Sequence, residues 1–446
     1  MNINSNLYHD YVTILNEELM PAMGCTEPIA IAYCASIVKK VLKNNPTNLQ
    51  IIVSGNIIKN VKSVTVPHTN GMHGIAAAAA IGIIAGDCYK ELEVISKATK
   101  KEINQLPEFL NSCKHVIIPS NNEHTLYIEI IGEYGSDKVR VIIQDSHTHV
   151  YLVEKNDVIL YKNDEEKKTN KVTLDKSILN IKDIIEFAYI VNIDDVKETL
   201  DRQIKYNMAI ANEGLKNNYG ANVGKTLLKY GDGNLIAYCK ALAAAGSDAR
   251  MNGCDMPVVI NSGSGNQGIT ASVPVIAYAE KTNKDKDLLY RALVVSNLCT
   301  IHIKNSIGKL SAFCGVVIAG ACCGAGIAFL EEGHNKESRA ISHTIVNALA
   351  IISGMVCDGA KSSCAAKIAS AVESGIFAYY MYKEGNQFID GDGIVKKGVE
   401  NNIITIGKLA RVGMCETDKE IIHLMTEKKK KSFKTLFLYM SLWIPN

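Results

Sequence analysis

Net charge is almost absent from this chain of 446 residues, in which 48 basic side chains stand against 46 acidic ones. So weak a field excludes electrostatic gathering of nucleic acid or of an anionic membrane surface, and a small neutral or zwitterionic ligand suits the composition better. Aromatic residues are scarce too, 6% with a single Trp, while Ala, Gly and Ile abound. Closely packed helices with small residues at their contacts follow. Residues 1–8 lack the basic segment and apolar stretch of a secretion signal, so a reducing, cytoplasmic setting is expected. Disulfides are rare in such a setting, and thirteen cysteines then mean buried packing thiols or a thiolate-ligated metal.

One apolar run invites a membrane reading: residues 311–330, SAFCGVVIAGACCGAGIAFL, carry no charge and approach the roughly 20 residues a spanning helix needs. Its Cys and Gly content, the lack of an aromatic belt and the flanking Lys309 and Glu331 without a positive-inside bias argue against a span. The expectation is the central helix of a helical domain.

The order of elements predicts an α+β fold. Helical periodicity over residues 7–44 is broken at 20–28, MPAMGCTEP, where two prolines and a glycine force a turn. Strand patterns follow at 49–53, 62–66, 115–118, 125–132, 138–145 and 150–153, with a buried alanine-rich helix at 74–86 between them. The lysine-rich stretch 155–170 reads as a linker or hairpin tip. Helices are then predicted at 181–216, 223–245, 269–281, 286–295, 309–330, 337–352 and 365–382. Three parts result: an α/β layer domain (1–175), an all-helical domain (176–430) and a peripheral tail (431–446).

Three segments carry chemistry. Residues 354–364, GMVCDGAKSSC, place Cys357 and Cys364 seven residues apart ahead of a helix; Cys314 precedes them on the apolar run; residues 261–268, NSGSGNQG, set small and polar groups between two apolar runs. Thiolates are soft ligands that select zinc or iron–sulfur clusters. No Cys-x2-Cys or His pairing marks a structural zinc site, so the residues leave packing thiols and a cluster with one open iron as competing readings. The glycine-rich segment lacks both nucleotide-binding fingerprints; it is either a plain turn or a carboxylate cradle at a helix start.

Five segments in order, MGCTEP (23–28), VPHTNGMHG (66–74), NSGSGNQG (261–268), KLSAFCG (309–315) and GMVCDGAKSSC (354–364), resemble the L-cysteine desulfidase family, relatives of the iron–sulfur L-serine dehydratases. The likeness spans about residues 7–426. It implies a 4Fe-4S cluster held by Cys314, Cys357 and Cys364, with one iron left as Lewis acid, and β-elimination of L-cysteine to pyruvate, ammonia and hydrogen sulfide. Cys25 is implied as a further ligand or an acid/base group. His68 and Lys309 join it as catalytic candidates. Ser54, Asn56, Asn70, Ser262, Ser264, Asn266, Gln267 and Asn305 are the substrate-binding candidates. The partner is then a small amino acid, with no nucleic acid or membrane, and a homodimer is the expected assembly. Serine dehydration, and a non-catalytic zinc or redox thiol protein, are the rival readings; Cys322 and Cys323 read as packing residues, and His147 and His149 as exposed or structural.

Overall fold

The computed structural model describes residues 1–122, 124–163, 174–308, 311–333, 335 and 339–426. Lys309, the second half of the lysine-rich stretch and the C-terminal tail lie outside the described residues. The architecture is α+β: a sheet-bearing N-terminal region is followed by a helical one.

The strands are β1 (Pro21–Met23), β2 (Asn48–Val53), β3 (Lys114–Pro119), β4 (Tyr127–Tyr134), β5 (Asp137–Gln144), β6 (Val150–Lys155), β7 (Val158–Lys162) and β8 (Pro257–Val259). Helices of the first region are α1 (Asn6–Glu18), α2 (Thr26–Leu42), α3 (Gly55–Val61), α4 (Gly74–Ala85) and α5 (Lys100–Ser112). The second holds α6 (Ile181–Ile190), α7 (Lys197–Lys216), α8 (Val223–Lys229), α9 (Leu235–Met251), α10 (Gly265–Lys281) and α11 (Lys286–Ile307). It continues with α12 (Gly315–Glu332), α13 (Ala340–Ile352), α14 (Cys364–Lys383), α15 (Val399–Lys408) and α16 (Cys415–Thr426).

Six strands form one sheet in the order β3-β2-β4-β5-β6-β7, parallel only between β2 and β3. Alternation along β5 turns Val139, Val141 and Ile143 into a core shared with α2 and α4. Those two helices touch backbone to backbone, since a methyl at Gly82 would stand 2.2 Å from the Ala32 carbonyl oxygen. The second core is helical, and α1 belongs to it through Tyr8, Tyr11, Ile14 and Leu15. At its centre runs α12, long and apolar enough to cross a membrane by length and composition, yet with every residue from Val316 to Leu330 buried among neighbouring helices. Gly320 and Gly324 let α14 press directly on its backbone.

Three departures from the predicted elements have visible physical causes. Residues 62–66 alternate in polarity as a strand would, and Val64 and Val66 are buried, but among the described residues the segment forms one isolated bridge, Thr65 to His73, and joins no sheet. The helix predicted over 181–216 is interrupted after Ile190, where the Asn192 side chain accepts from the Asp194 amide and starts a separate turn. The stretch after Lys155 opens with β7, which adds an edge strand to the sheet.

A candidate thiol and cavity site

Two loops bring the thiols together. The Cys314 amide donates to the Met355 carbonyl at 3.1 Å and the Cys357 amide to that of Ala312 at 2.5 Å, around an antiparallel bridge between Phe313 and Val356. Cys314 thereby ends its loop as the residue before α12, not inside that helix. Its sulfur hydrogen-bonds that of Cys357. This contact, with Lys59 and the Gly359 amide helping, holds Cys357 well down toward thiolate, while Cys314 is pushed up by the same contact and by burial. Cys364 opens α14 and is raised by burial against the opposing pull of Lys361 and Lys367.

Cys25 caps the start of α2. It packs with Val64 and Met251 against Ala360 and Cys364, and burial lifts its thiol to about 11 although Arg250 works the other way. All four thiols singled out from the sequence therefore meet in one region. Cys322 and Cys323 lie fully buried on α12, Cys322 pushed up to about 12 by desolvation. Among the described residues no three His, Cys, Asp or Glu side chains converge on a single-ion position. Cys314 meets Cys357, and Cys25 meets Cys364.

Lysines surround these sulfurs. Lys361 and Lys367 both bind the Asp358 carboxylate, and Lys367 also reaches the Val356 carbonyl at 2.7 Å, which ties the thiol loop to α14. Lys59, only 2% exposed, pairs with Asp418 of α16 at 2.6 Å. Its carbonyl oxygen would stand 1.8 Å from a methyl at Gly359, which has a φ of +94°. Only glycine permits so close an approach.

Beside the thiols lies a cavity of about 460 Å³, between the sheet layer and the helical bundle. Glu27, Asn56, Asn60, Ser262, Lys304 and Asn305 are among the residues that line it. Lys304 is the link between the two features. It faces the cavity, its amine is pushed down to about 8 by desolvation, and the Cys357 and Cys314 sulfurs are near enough to oppose that shift.

The other sequence candidates fall into distinct groups. Asn56, Ser262 and Asn305 line the cavity, and the Asn56 side-chain oxygen is buried with no partner. Gln267 touches Gly315, next to Cys314, and its oxygen is likewise buried and unpartnered. Asn266 accepts from Arg250 at 3.1 Å, and Arg250 also reaches the Gly24 carbonyl at 2.9 Å, so this pair fixes the Cys25 loop against α10. Ser264 is occupied in capping α10. The Ser54 hydroxyl donates to the Thr125 carbonyl at 2.9 Å and accepts from the Tyr127 amide. His68 sits 3.8 Å from Asp255 on a loop whose Pro67 packs against Gly24. Asn70 is exposed and donates to Asn104 at 3.4 Å. Glu27, Lys59, Asn60 and Lys304 escaped the sequence reading. Glu27 lies inside MGCTEP and Lys304 beside Asn305, so proximity to chosen segments was the one available signal.

Fold and site together define an α+β protein in which thiols from two loops, ringed by lysines, lie near a cavity lined by amide, carboxylate and lysine side chains. The profile of the serine dehydratase alpha chain family matches residues 89–423. The chain belongs to that family, which takes its name from a lyase. It is 53% identical to a UPF0597 protein of Desulfitobacterium hafniense, covering 95% of this chain and 98% of the relative. Identity is 46% to a UPF0597 protein of Finegoldia magna, over 94% and 100% of the two chains. For one of Treponema denticola it is 43%, over 95% and 99%.

Proposed function

We propose that the chain is an iron–sulfur lyase that removes the β-substituent of a small L-amino acid, with L-cysteine favoured over L-serine. The observation that carries this reading is the meeting of Cys314, Cys357 and Cys364 near a cavity to which amide, carboxylate and lysine side chains contribute, linked through Lys304. The donor set fits a 4Fe-4S cluster. The chemistry of the donors supports this: three thiols, with Cys357 held toward thiolate, stand among lysines that offset the charge thiolates bring. Cys314, Cys357 and Cys364 would hold it. When bound, it supplies a Lewis-acidic iron on which charge leaving the β-carbon is stabilised.

The chain's own groups do the rest. Lys304 and Asn305 offer a cation and an amide for the substrate carboxylate, and the Asn56 oxygen is an acceptor without a donor. The cavity walls confine the substrate so that the Cα–H and Cβ–S bonds can be aligned for elimination. Cysteine loses its α-proton and hydrosulfide; the resulting aminoacrylate takes up water and yields pyruvate and ammonia. Burial keeps Cys25 protonated, so its thiol can hold a proton beside Cys364. Its place in MGCTEP, one of the segments that resemble the cysteine desulfidases, favours sulfur as leaving group. The family's name favours the second reading, serine dehydration.

Iron and acid-labile sulfide analysis of protein purified without air, followed by product assays, separates the readings. Sulfide release from L-cysteine should outpace pyruvate release from L-serine. The reverse ranking assigns the dehydratase, and turnover without iron removes the cluster from the reaction.

A further inference from the structure

Charge balance inside the cavity singles out one residue. Three carboxylates line it, Glu18, Glu27 and Asp145. Glu18 is paired with Lys176, and Asp145 with His124 at 2.7 Å. Glu27 is held by neutral donors, the Asn60 amide at 3.0 Å and the Thr26 hydroxyl at 3.3 Å, and among the described residues no cationic side chain forms an ion pair with it. A half-buried carboxylate with only neutral partners keeps most of its negative potential for whatever enters the cavity. The unpartnered Asn56 oxygen lies one helical turn before Asn60 on α3, so two acceptors belong to one wall. Lys304 and Asn305, on α11, present donors from another.

We infer that Glu27 binds the α-ammonium of the substrate and thereby restricts the site to amino acids. This rests on the reading of the cavity as an amino-acid lyase site. An ammonium brings three donors, and Glu27 with the Asn56 oxygen offers acceptors for them; the carboxylate of the same zwitterion meets Lys304 and Asn305. Glu27 sits in the first turn of α2, where the helix N-terminus stabilises its charge, and two residues after Cys25. The ammonium anchor and that thiol are therefore placed by one rigid element.

Calorimetric titration of anaerobically purified protein tests this with two unreactive probes: L-alanine, which lacks a leaving group, and propionate, which lacks the ammonium. Wild type should bind L-alanine at least about tenfold more tightly than propionate. Glu27→Gln should weaken L-alanine binding roughly 10- to 100-fold, as expected for loss of a hydrogen bond to a charged group, and leave propionate unchanged. Its iron and sulfide content should equal that of wild type. Glu27→Asp, which keeps the charge one methylene further back, should fall between the two and serves if the glutamine variant does not fold. Retention of the alanine preference in the folded variants overturns the anchor while leaving the lyase reading intact. If wild type itself shows no preference for L-alanine, the amino-acid reading of the cavity fails and the anchor falls with it.

Discussion

The helical region and the sheet layer that flank the cavity are built on different physical terms. In the helical region, which carries Cys314 and Cys364 at the starts of α12 and α14, backbones are close-packed: Gly320 and Gly324 of α12 meet Ala371 and Gly375 of α14 with no room for a methyl. On the layer side, short α3 and the first turn of α2 present amides and a carboxylate that bond to one another and to solvent-accessible neighbours. The contrast teaches a division of labour. Groups that must keep their spacing are set on elements that cannot shift, and groups that recognise a changing partner are set on elements held more lightly.

Breaking the helical region should have the largest effects. Replacement of Cys357 by Ser should abolish brown colour and reduce sulfide release to background, whereas Cys323→Ala, fully buried in the middle of α12, should keep both; absorbance and iron analysis decide. Colour that survives substitution of Cys314, Cys357 and Cys364 in turn would remove the thiol assignment. Next comes packing. A methyl at Gly375 would stand 2.0 Å from the Gly320 carbonyl oxygen, so Gly375→Ala should cost about 3 kcal/mol or prevent folding. In the layer, Gly135 has a φ of +59° and open space around it, and Gly135→Ala should cost only about 1 kcal/mol of backbone strain in denaturant melts.

A pH experiment sharpens the same comparison. Burial within the helical half lifts the Asp248 carboxyl to about 6, with one oxygen accepting from the Gly224 amide at 2.9 Å and the other unpartnered. The folded state therefore holds its proton more tightly than the unfolded chain, whose carboxyl titrates near 3.9. The sign follows: this group's contribution is most favourable below about 3.9 and is lost as pH rises through about 6, a difference of roughly 2 to 3 kcal/mol. Asp248→Asn, which keeps an acceptor for Gly224, should raise the melting temperature at pH 7 and flatten its dependence between pH 4 and 6. The smallest effect is expected at the surface of the layer. Asn70→Ala should change stability by less than about 0.5 kcal/mol and leave L-alanine affinity within about twofold of wild type.

What could be read from the sequence were features with local causes. The α+β order, the break before Cys25 and the buried course of α12 follow from periodicity, proline placement and apolar content. The thiol segments were legible as segments. Their convergence was not, because it depends on the Phe313–Val356 bridge and on α3 abutting the Gly359 loop. Lys59 and Lys304 look like any helical lysine until their surroundings are known. Likewise nothing near Tyr8 announces that α1 joins the helical core, and the spare polar residues Ser54 and Ser264 gave no sign that backbone amides already claim them.

The short ribbon of β1 and β8 joins Pro21 to Val259 across more than half the chain. During synthesis the segment carrying Cys25 leaves the ribosome long before its partner strand exists. Its seat beside α10 is closed late, at the entropic cost of a long loop. Until then the loop that carries Cys25 has no partner strand to fix it.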